Sequence, residues 1–110
     1  ARLWAWEIEA PGKLRHLPWP SPHGGRLVAG IGGFARFDSL AVAASGNICV
    51  AGLHICAVVE IWPDGACVRN HSVPDLMVTN LCFGGRDMRT AISASRLFKD
   101  ARRFSPTSVI

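Results

Sequence analysis

The most constraining feature of the chain is a series of short apolar segments separated at close intervals by turn-forming residues. The clearest example is Phe37–Gly52, with the sequence FDSLAVAASGNICVAG. Its centre, Ala44–Asn47, contains Gly and Asn, which tolerate the positive φ angles that a tight hairpin turn requires. Apolar strand-forming residues flank this turn, so we predict two short strands over about residues 37–43 and 47–52. Asp38 would lie where the first strand begins.

The same order of strand and turn recurs downstream. Ala57–Ile61 is an apolar run that ends at a Pro-Asp-Gly turn. Ala66–Ser72 is a short segment whose polar and charged residues suit the edge of a sheet. Val78–Phe83 predicts a further strand, with Met88–Ala94 as its partner.

The spacing of two polar residues gives the size of the repeating unit. Asp38 and Asn80 each stand near the head of a predicted strand, and roughly 40 residues separate them. This is the length of one four-stranded blade of a β-propeller. The pattern therefore favours an all-β fold of antiparallel four-stranded blades. A chain of 110 residues is too short for a complete ring of such blades.

Composition excludes several classes of protein. Apolar residues make up 49% of the chain and charged residues 18%, which argues against disorder. No apolar run reaches the ~20 residues of a membrane helix, so we predict no membrane partner. The net charge of +4 is concentrated in the last quarter of the chain, where a solvated end is the favoured interpretation. No alternation of aromatic and basic residues marks a groove for single-stranded nucleic acid, so we predict no nucleic-acid partner. A basic tail that binds nucleic acid is the weaker alternative.

The four cysteines show neither C-x-x-C spacing nor the spacing of a cysteine–histidine zinc site. Cys49 and Cys82 fall on apolar strands and are expected to be small core residues. Cysteines of this number and placement do not suggest a disulfide framework, so we predict a reducing, cytoplasmic location. His54 is an isolated loop histidine and is expected to be exposed to solvent rather than to bind a metal.

The N-terminal part also predicts short strands. Trp4, Trp6 and Ile8 alternate with Ala or Glu, as in a strand with one buried aromatic face. A platform for stacking a sugar is the alternative role for the tryptophans, but packing between blades is favoured. Pro18–Gly25 contains three prolines and is predicted to be a connector. Gly30–Gly33 lacks the Lys-Ser/Thr of a phosphate-binding loop and is predicted to be a crossing between blades.

Four segments together resemble the senescence marker protein/gluconolactonase family, also called luciferin-regenerating-enzyme-like. They are WAWEIEAPGKL, FDSLAVAASGNICVAG, IWPDG and VPDLMVTNLCFGGRDMRTA, and the resemblance extends from about Leu3 to Ala91. It implies a partial six-bladed β-propeller, all-β, with about two to three blades in this chain. Residues 1–94 would be the C-terminal part of that propeller in a longer protein, and residues 95–110 a divergent basic tail. Residues 96–104 look helical or irregular instead of continuing the blade.

The resemblance implies one site residue in this chain. Asp38 occupies the Asp of the family's x-D-S/G-x-A-V strand, which in relatives is a metal ligand and the general base. Ser39 stands where the family usually has Gly. The ion implied is divalent: calcium or zinc, with manganese and magnesium as alternatives. Asn80 also stands near the head of a strand. It could line the central channel of the propeller, or its side chain could bond to the adjacent backbone. Glu7 and Glu9 do not match the first-blade motif and are not assigned.

The resemblance implies metal-dependent hydrolysis of a sugar lactone, a carboxylic ester hydrolase activity. The family's other ligands would lie upstream of this chain, so we expect these 110 residues to be inactive alone. The alternative is a non-catalytic propeller module that serves as an interaction or regulatory surface. The partner would be a small sugar lactone, and exposed blade edges would favour self-association.

Overall fold

The computed structural model describes residues 1–95 and 102–104, and these residues form an entirely β structure. All strand pairs are antiparallel, which confirms the predicted fold class. None of the described residues belongs to a helix, and so none forms a helix long and apolar enough to cross a membrane. The strands are β1 (Arg2–Ala5), β2 (Ile8–Ala10), β3 (Lys13–Leu14), β4 (Arg26–Gly30), β5 (Arg36–Val42), β6 (Ile48–Leu53), β7 (Ala57–Ile61), β8 (Val68–Ser72), β9 (Val78–Gly84), β10 (Thr90–Ser95) and β11 (Arg102–Phe104).

A four-stranded sheet in the order β5-β6-β7-β8 forms the centre of the molecule. The β5–β6 hairpin agrees with the predicted strands, and Gly46 takes the positive φ of 87° that its turn requires. Ala43 N–H donates to Asn47 O at 2.9 Å and closes the turn. β8 is the edge strand that the polar residues of the sequence predicted.

Both faces of this sheet are covered, and each face has its own apolar core. On one face, Val50, Val59 and Ile61 pack with Val28 and Ala29 of β4. On the other face, the core contains residues of β6 and β7 together with Val78 and Leu81 of β9. Because it is covered on both sides, β7 is buried along its whole length, as its nearly continuous apolar sequence implies.

A second sheet has the order β11-β10-β9, and its β9 strand packs against β5 and β6. The predicted partner of β9 is confirmed, although it begins at Thr90 because Met88 lies in the preceding turn with a φ of 57°. Arg102–Phe104 pair with β10 as strand β11. The expectation of a helical or irregular tail is therefore wrong for these three residues, because the edge of β10 offers them backbone partners. Residues 96–101 and 105–110 lie outside the described residues.

The predicted N-terminal strand is broken, and its buried aromatic face is wrong. β1 ends at Ala5 and pairs with β4, whereas Ile8 begins the separate β2–β3 hairpin. Trp4 is half-buried, but Trp6 is 37% and Ile8 74% exposed. The change of pairing partner between β1 and β2 interrupts the alternation on which the prediction relied.

The two cysteines that were expected in the core differ in their burial. Cys49 is buried as predicted, but the core assignment of Cys82 is wrong because its side chain is exposed. Leu81 points into the core between the two sheets, so strand alternation directs Cys82 to the opposite face of its sheet. All four cysteines are free thiols.

An apolar patch on β5 predicts self-association. Leu40 and Val42 pair with Val50 and Ile48, and so lie on the sheet face that β4 covers elsewhere, yet they are 50% and 59% exposed. We expect the chain to associate through this patch, and the double variant Leu40→Lys/Val42→Lys to shift it toward monomer because a charge at each position opposes apolar contact. Light scattering coupled to size-exclusion chromatography measures the mass.

The matched control is Leu76→Lys/Met88→Lys, which adds the same charge at two exposed apolar residues in loops. It should leave the degree of association unchanged. A wild-type chain that is monomeric at high concentration would contradict this prediction, and so would equal effects of the two double variants.

Candidate functional site

Asp38 lies in a β-bulge near the start of β5. Phe37 pairs with Gly52 and Leu40 pairs with Val50, so Asp38 and Ser39 together stand opposite the single residue Ala51. A bulge of this kind twists the strand and redirects the side chains of the extra residue. The Asp38 side chain is exposed, whereas Ser39 is half-buried. The structure thus presents the predicted carboxylate to solvent at the head of the strand.

The turn between β6 and β7 forms the same end of the sheet. It contains no glycine, and His54 and Cys56 adopt positive φ angles of 67° and 51° instead. Contacts with the loop before β9 hold this turn, because His54 N–H donates to Leu76 O at 2.8 Å. The His54 ring lies 5.0 Å from the ring of Phe34, centroid to centroid. His54 is therefore a half-buried, packed turn residue, and the expectation that it is exposed to solvent is wrong.

Asn80 lies on β9, the strand that packs beside β5. Its side chain is used locally, since Leu81 N–H donates to Asn80 Oδ1 at 2.8 Å. This is the backbone-bonding alternative that its residue type allowed. The structure thus places Asp38 and Asn80 on neighbouring strands of adjacent sheets, but gives the amide oxygen of Asn80 a structural role.

The donor set does not fit a complete metal centre. Within residues 1–95 and 102–104, no group of three or more His, Cys, Asp or Glu side chains could hold an ion. Glu7 and Glu9 are engaged elsewhere, at 2.8 Å from Arg15 and 3.0 Å from Lys13 respectively. A Ca²⁺ ion takes six to eight oxygen ligands. Asp38 would supply one carboxylate to such a set.

The central sheet also contains a buried polar network that was not predicted from the sequence. Glu60 of β7 is only 2% exposed and accepts hydrogen bonds at both carboxylate oxygens. Asn47 Nδ2–H donates to Oε1 at 2.7 Å, and His71 Nε2 lies 2.8 Å from Oε2. The three residues come from the β5–β6 turn, from β7 and from β8, so the network ties these elements together at the end of the sheet remote from Asp38.

The network determines the charge of its members. Burial alone would raise the pKa of Glu60, but the hydrogen bonds from Asn47 and His71, with the positive charges of His71 and Arg69, lower it below its ordinary value. Burial and then the nearby Glu60 charge raise the pKa of Cys49 to about 11. The Cys49 thiol therefore stays protonated at neutral pH and is not a nucleophile.

The sequence did contain a signal for this network. Glu60 is the charged residue within the otherwise apolar run Ala57–Ile61, and a buried carboxylate needs a partner. The identity of the partner depends on the pairing of β7 with β8, which sets Glu60 opposite Arg69 and places His71 diagonally from it. A single sequence does not give that register.

We predict that Glu60→Gln lowers the free energy of unfolding by about 2 kcal/mol at neutral pH, because the hydrogen bonds at residue 60 lose the strength that the negative charge gives them. The pKa of Glu60 lies below the ordinary value of 4.5, so its ionised form stabilises the fold above that pH. This contribution is lost as the pH falls through the folded-state pKa. The difference between wild type and variant should therefore shrink in acid, as measured by urea denaturation at several pH values.

Glu7→Gln is the matched control, because its carboxylate is exposed on the N-terminal part of the chain. It should change the free energy of unfolding by less than about 1 kcal/mol. A difference between wild type and Glu60→Gln that stays constant from neutral to acid pH would show that the ionised Glu60 is not the stabilising species.

Comparison with known proteins identifies the family. The family model described as SMP-30/Gluconolactonase/LRE-like region matches residues 18–95. No curated protein matches the chain significantly. The matched segment covers more than half of the chain and takes in the four-stranded sheet with the Asp38 bulge. The chain therefore belongs to the SMP-30/gluconolactonase/LRE-like family, and its antiparallel sheets are part of that family's β-propeller.

Proposed function

We propose that the protein to which this chain belongs hydrolyses a sugar lactone. Membership of a family that includes lactonases supports the proposal. The observation that carries it is the Asp38 carboxylate, which the β5 bulge exposes at the head of a strand within the matched segment. An exposed carboxylate at a fixed bulge is suited to act on a bound small molecule, because its position is set by the strand and not by a mobile loop.

Asp38 would act as the general base in this reaction. Its carboxylate takes a proton from a water molecule as the water oxygen bonds to the lactone carbonyl carbon. The tetrahedral intermediate then breaks its bond to the ring oxygen, which leaves as a hydroxyl group on the same molecule after accepting a proton. The product is the open-chain sugar acid, and the water supplies the added oxygen and both hydrogens.

Asp38 is also proposed as a ligand of a divalent cation, with calcium or zinc as the first choices. The family is generally metal-dependent, which supports this part of the proposal. The described residues hold no group of three or more His, Cys, Asp or Glu side chains that could bind an ion. The other oxygen ligands would come from further blades of the ring, and the proposal therefore concerns the assembled propeller. We also propose a cytoplasmic location, in which the four free thiols stay reduced.

Asp38→Asn should strongly reduce the rate of hydrolysis in the assembled protein. The amide keeps the size of the side chain but cannot accept a proton from water, so we expect the rate to fall by a factor of about 100 or more. Proton release from gluconolactone, followed with and without a chelator, measures the activity. The chelator should lower wild-type activity because it removes the proposed cation.

Asp64→Asn provides the matched control. Asp64 is an exposed turn residue whose Oδ1 accepts a hydrogen bond from Ala66 N–H, and an asparagine oxygen can accept the same bond. Full activity is expected. Activity that survives both the Asp38 substitution and the chelator would reject the role of Asp38. No activity toward several lactones with any common divalent metal would favour a non-catalytic propeller module.

A further inference from the structure

A pocket of about 170 Å³ opens on the N-terminal part of the molecule, away from the Asp38 bulge. Its lining combines an aromatic ring, charged side chains and close-packed backbone, and comprises Ala5, Trp6, Glu7, Arg15, Leu17, Gly24 and Arg26. Most of these residues precede the segment 18–95 that the family model matches. None of the lining residues is one that the family resemblance assigns to the site.

Gly24 lines the pocket, and its neighbour Gly25 packs against the Trp6 ring of the lining. A Cβ atom on Gly25 would stand 2.7 Å from the Trp6 ring, and one on Gly24 would stand 2.5 Å from the His16 imidazole. Only glycine allows the backbone to approach these rings so closely. Leu17 N–H donates to Gly24 O at 2.8 Å and fixes the two sides of the pocket to each other.

The Trp6 ring is held in place but is not covered. It packs on Gly25 and lies 5.3 Å from the His23 ring, centroid to centroid. Yet 37% of Trp6 is exposed, and it lines the opening. A rigid, partly exposed tryptophan offers an apolar surface with little conformational entropy left to lose on binding. Such a surface suits the C–H face of a sugar ring.

The charges of the lining favour an anion. Arg15 Nη1 lies 2.8 Å from Glu7 Oε2, so these two charges offset each other. Among the described residues, Arg26 contacts the carbonyl oxygen of Pro63 at 3.4 Å, which leaves its positive charge uncompensated. A guanidinium group binds a carboxylate through two parallel hydrogen bonds. The Glu7–Arg15 pair adds an acceptor and donors that hydroxyl groups can use.

We propose that this pocket binds a monosaccharide that carries one carboxylate, with the sugar ring on Trp6 and the carboxylate on Arg26. The volume sets the size of the ligand, since it is well below the roughly 300–1,000 Å³ of pockets for drug-sized molecules. One sugar unit fits this limit better than an oligosaccharide or a nucleotide. The site does not depend on the lactone chemistry proposed for Asp38.

Titration of glucuronate into the 110-residue chain tests the proposal, with the indole N–H signals of the tryptophans followed by NMR. The Trp6 signal should shift and saturate. Arg26→Gln should weaken binding about tenfold, because a charge-assisted hydrogen-bonded pair is lost. Trp6→Leu should abolish binding. Arg36→Gln and Trp19→Leu are matched controls outside the pocket lining, and both should bind glucuronate as the wild type does.

Two other probes separate the parts of the proposal. Glucose should bind more weakly than glucuronate, and inorganic phosphate should not shift Trp6 in the way that the sugar does. If Trp6→Leu disturbs the fold, the Arg26→Gln variant still tests the proposal. Arg26 is exposed, so its substitution should leave the fold intact. The proposal is overturned by a Trp6 signal that glucuronate leaves unchanged, by equal binding of glucose, by equal binding of phosphate, or by an Arg26→Gln variant with wild-type affinity.

Discussion

The structure depends on the burial of one antiparallel sheet on both of its faces. β6 and β7 supply apolar residues to each face, and the neighbouring sheets cover them from opposite sides. Removal of this apolar surface from water is the dominant favourable term for such strands. Because β5 is hydrogen-bonded to the fixed β6 strand, the bulge at Asp38 and Ser39 has a defined position. The candidate site is thus a consequence of the core beneath it.

A polar constraint accompanies this apolar one. Glu60 lies on the face that β9 covers, where Asn47 and His71 bond both of its oxygens. A slip of one residue in the register of β7 would turn Glu60 to the other face, among Val50 and the residues that pack on it. A carboxylate without partners in that core would be strongly unfavourable. The network therefore favours a single register for the sheet, as well as stabilising it.

The sequence was informative wherever local chemistry determines structure. The Ser-Gly-Asn turn predicted the β5–β6 hairpin, and the mostly apolar run of Ala57–Ile61 with the turn after it predicted β7. It was less informative wherever a distant partner decides. The alternation of residues around Trp6 did not show that β1 would end at Ala5 and pair with β4. The alternation around Cys82 did not show which face of its strand would be covered.

The same distinction applies to the candidate site. Asp38 could be predicted because the residues around it match a family pattern, but its bulge became visible only from the pairing with β6. The partners of Glu60 lie 13 and 11 residues away in sequence, and only the pairing of neighbouring strands brings them together. The pocket likewise depends on the contact between Gly25 and the ring of Trp6, which are separated in the sequence by the β2–β3 hairpin.

Amide hydrogen exchange tests most directly whether the doubly covered sheet organises the molecule. The amides of β6 and β7 should exchange most slowly among the described residues, because they open only when both cores are lost. Those of the exposed β2–β3 hairpin should exchange fastest. Similar rates in β6, β7 and the hairpin would contradict the account, since the sheet that positions Asp38 would then have no stable core.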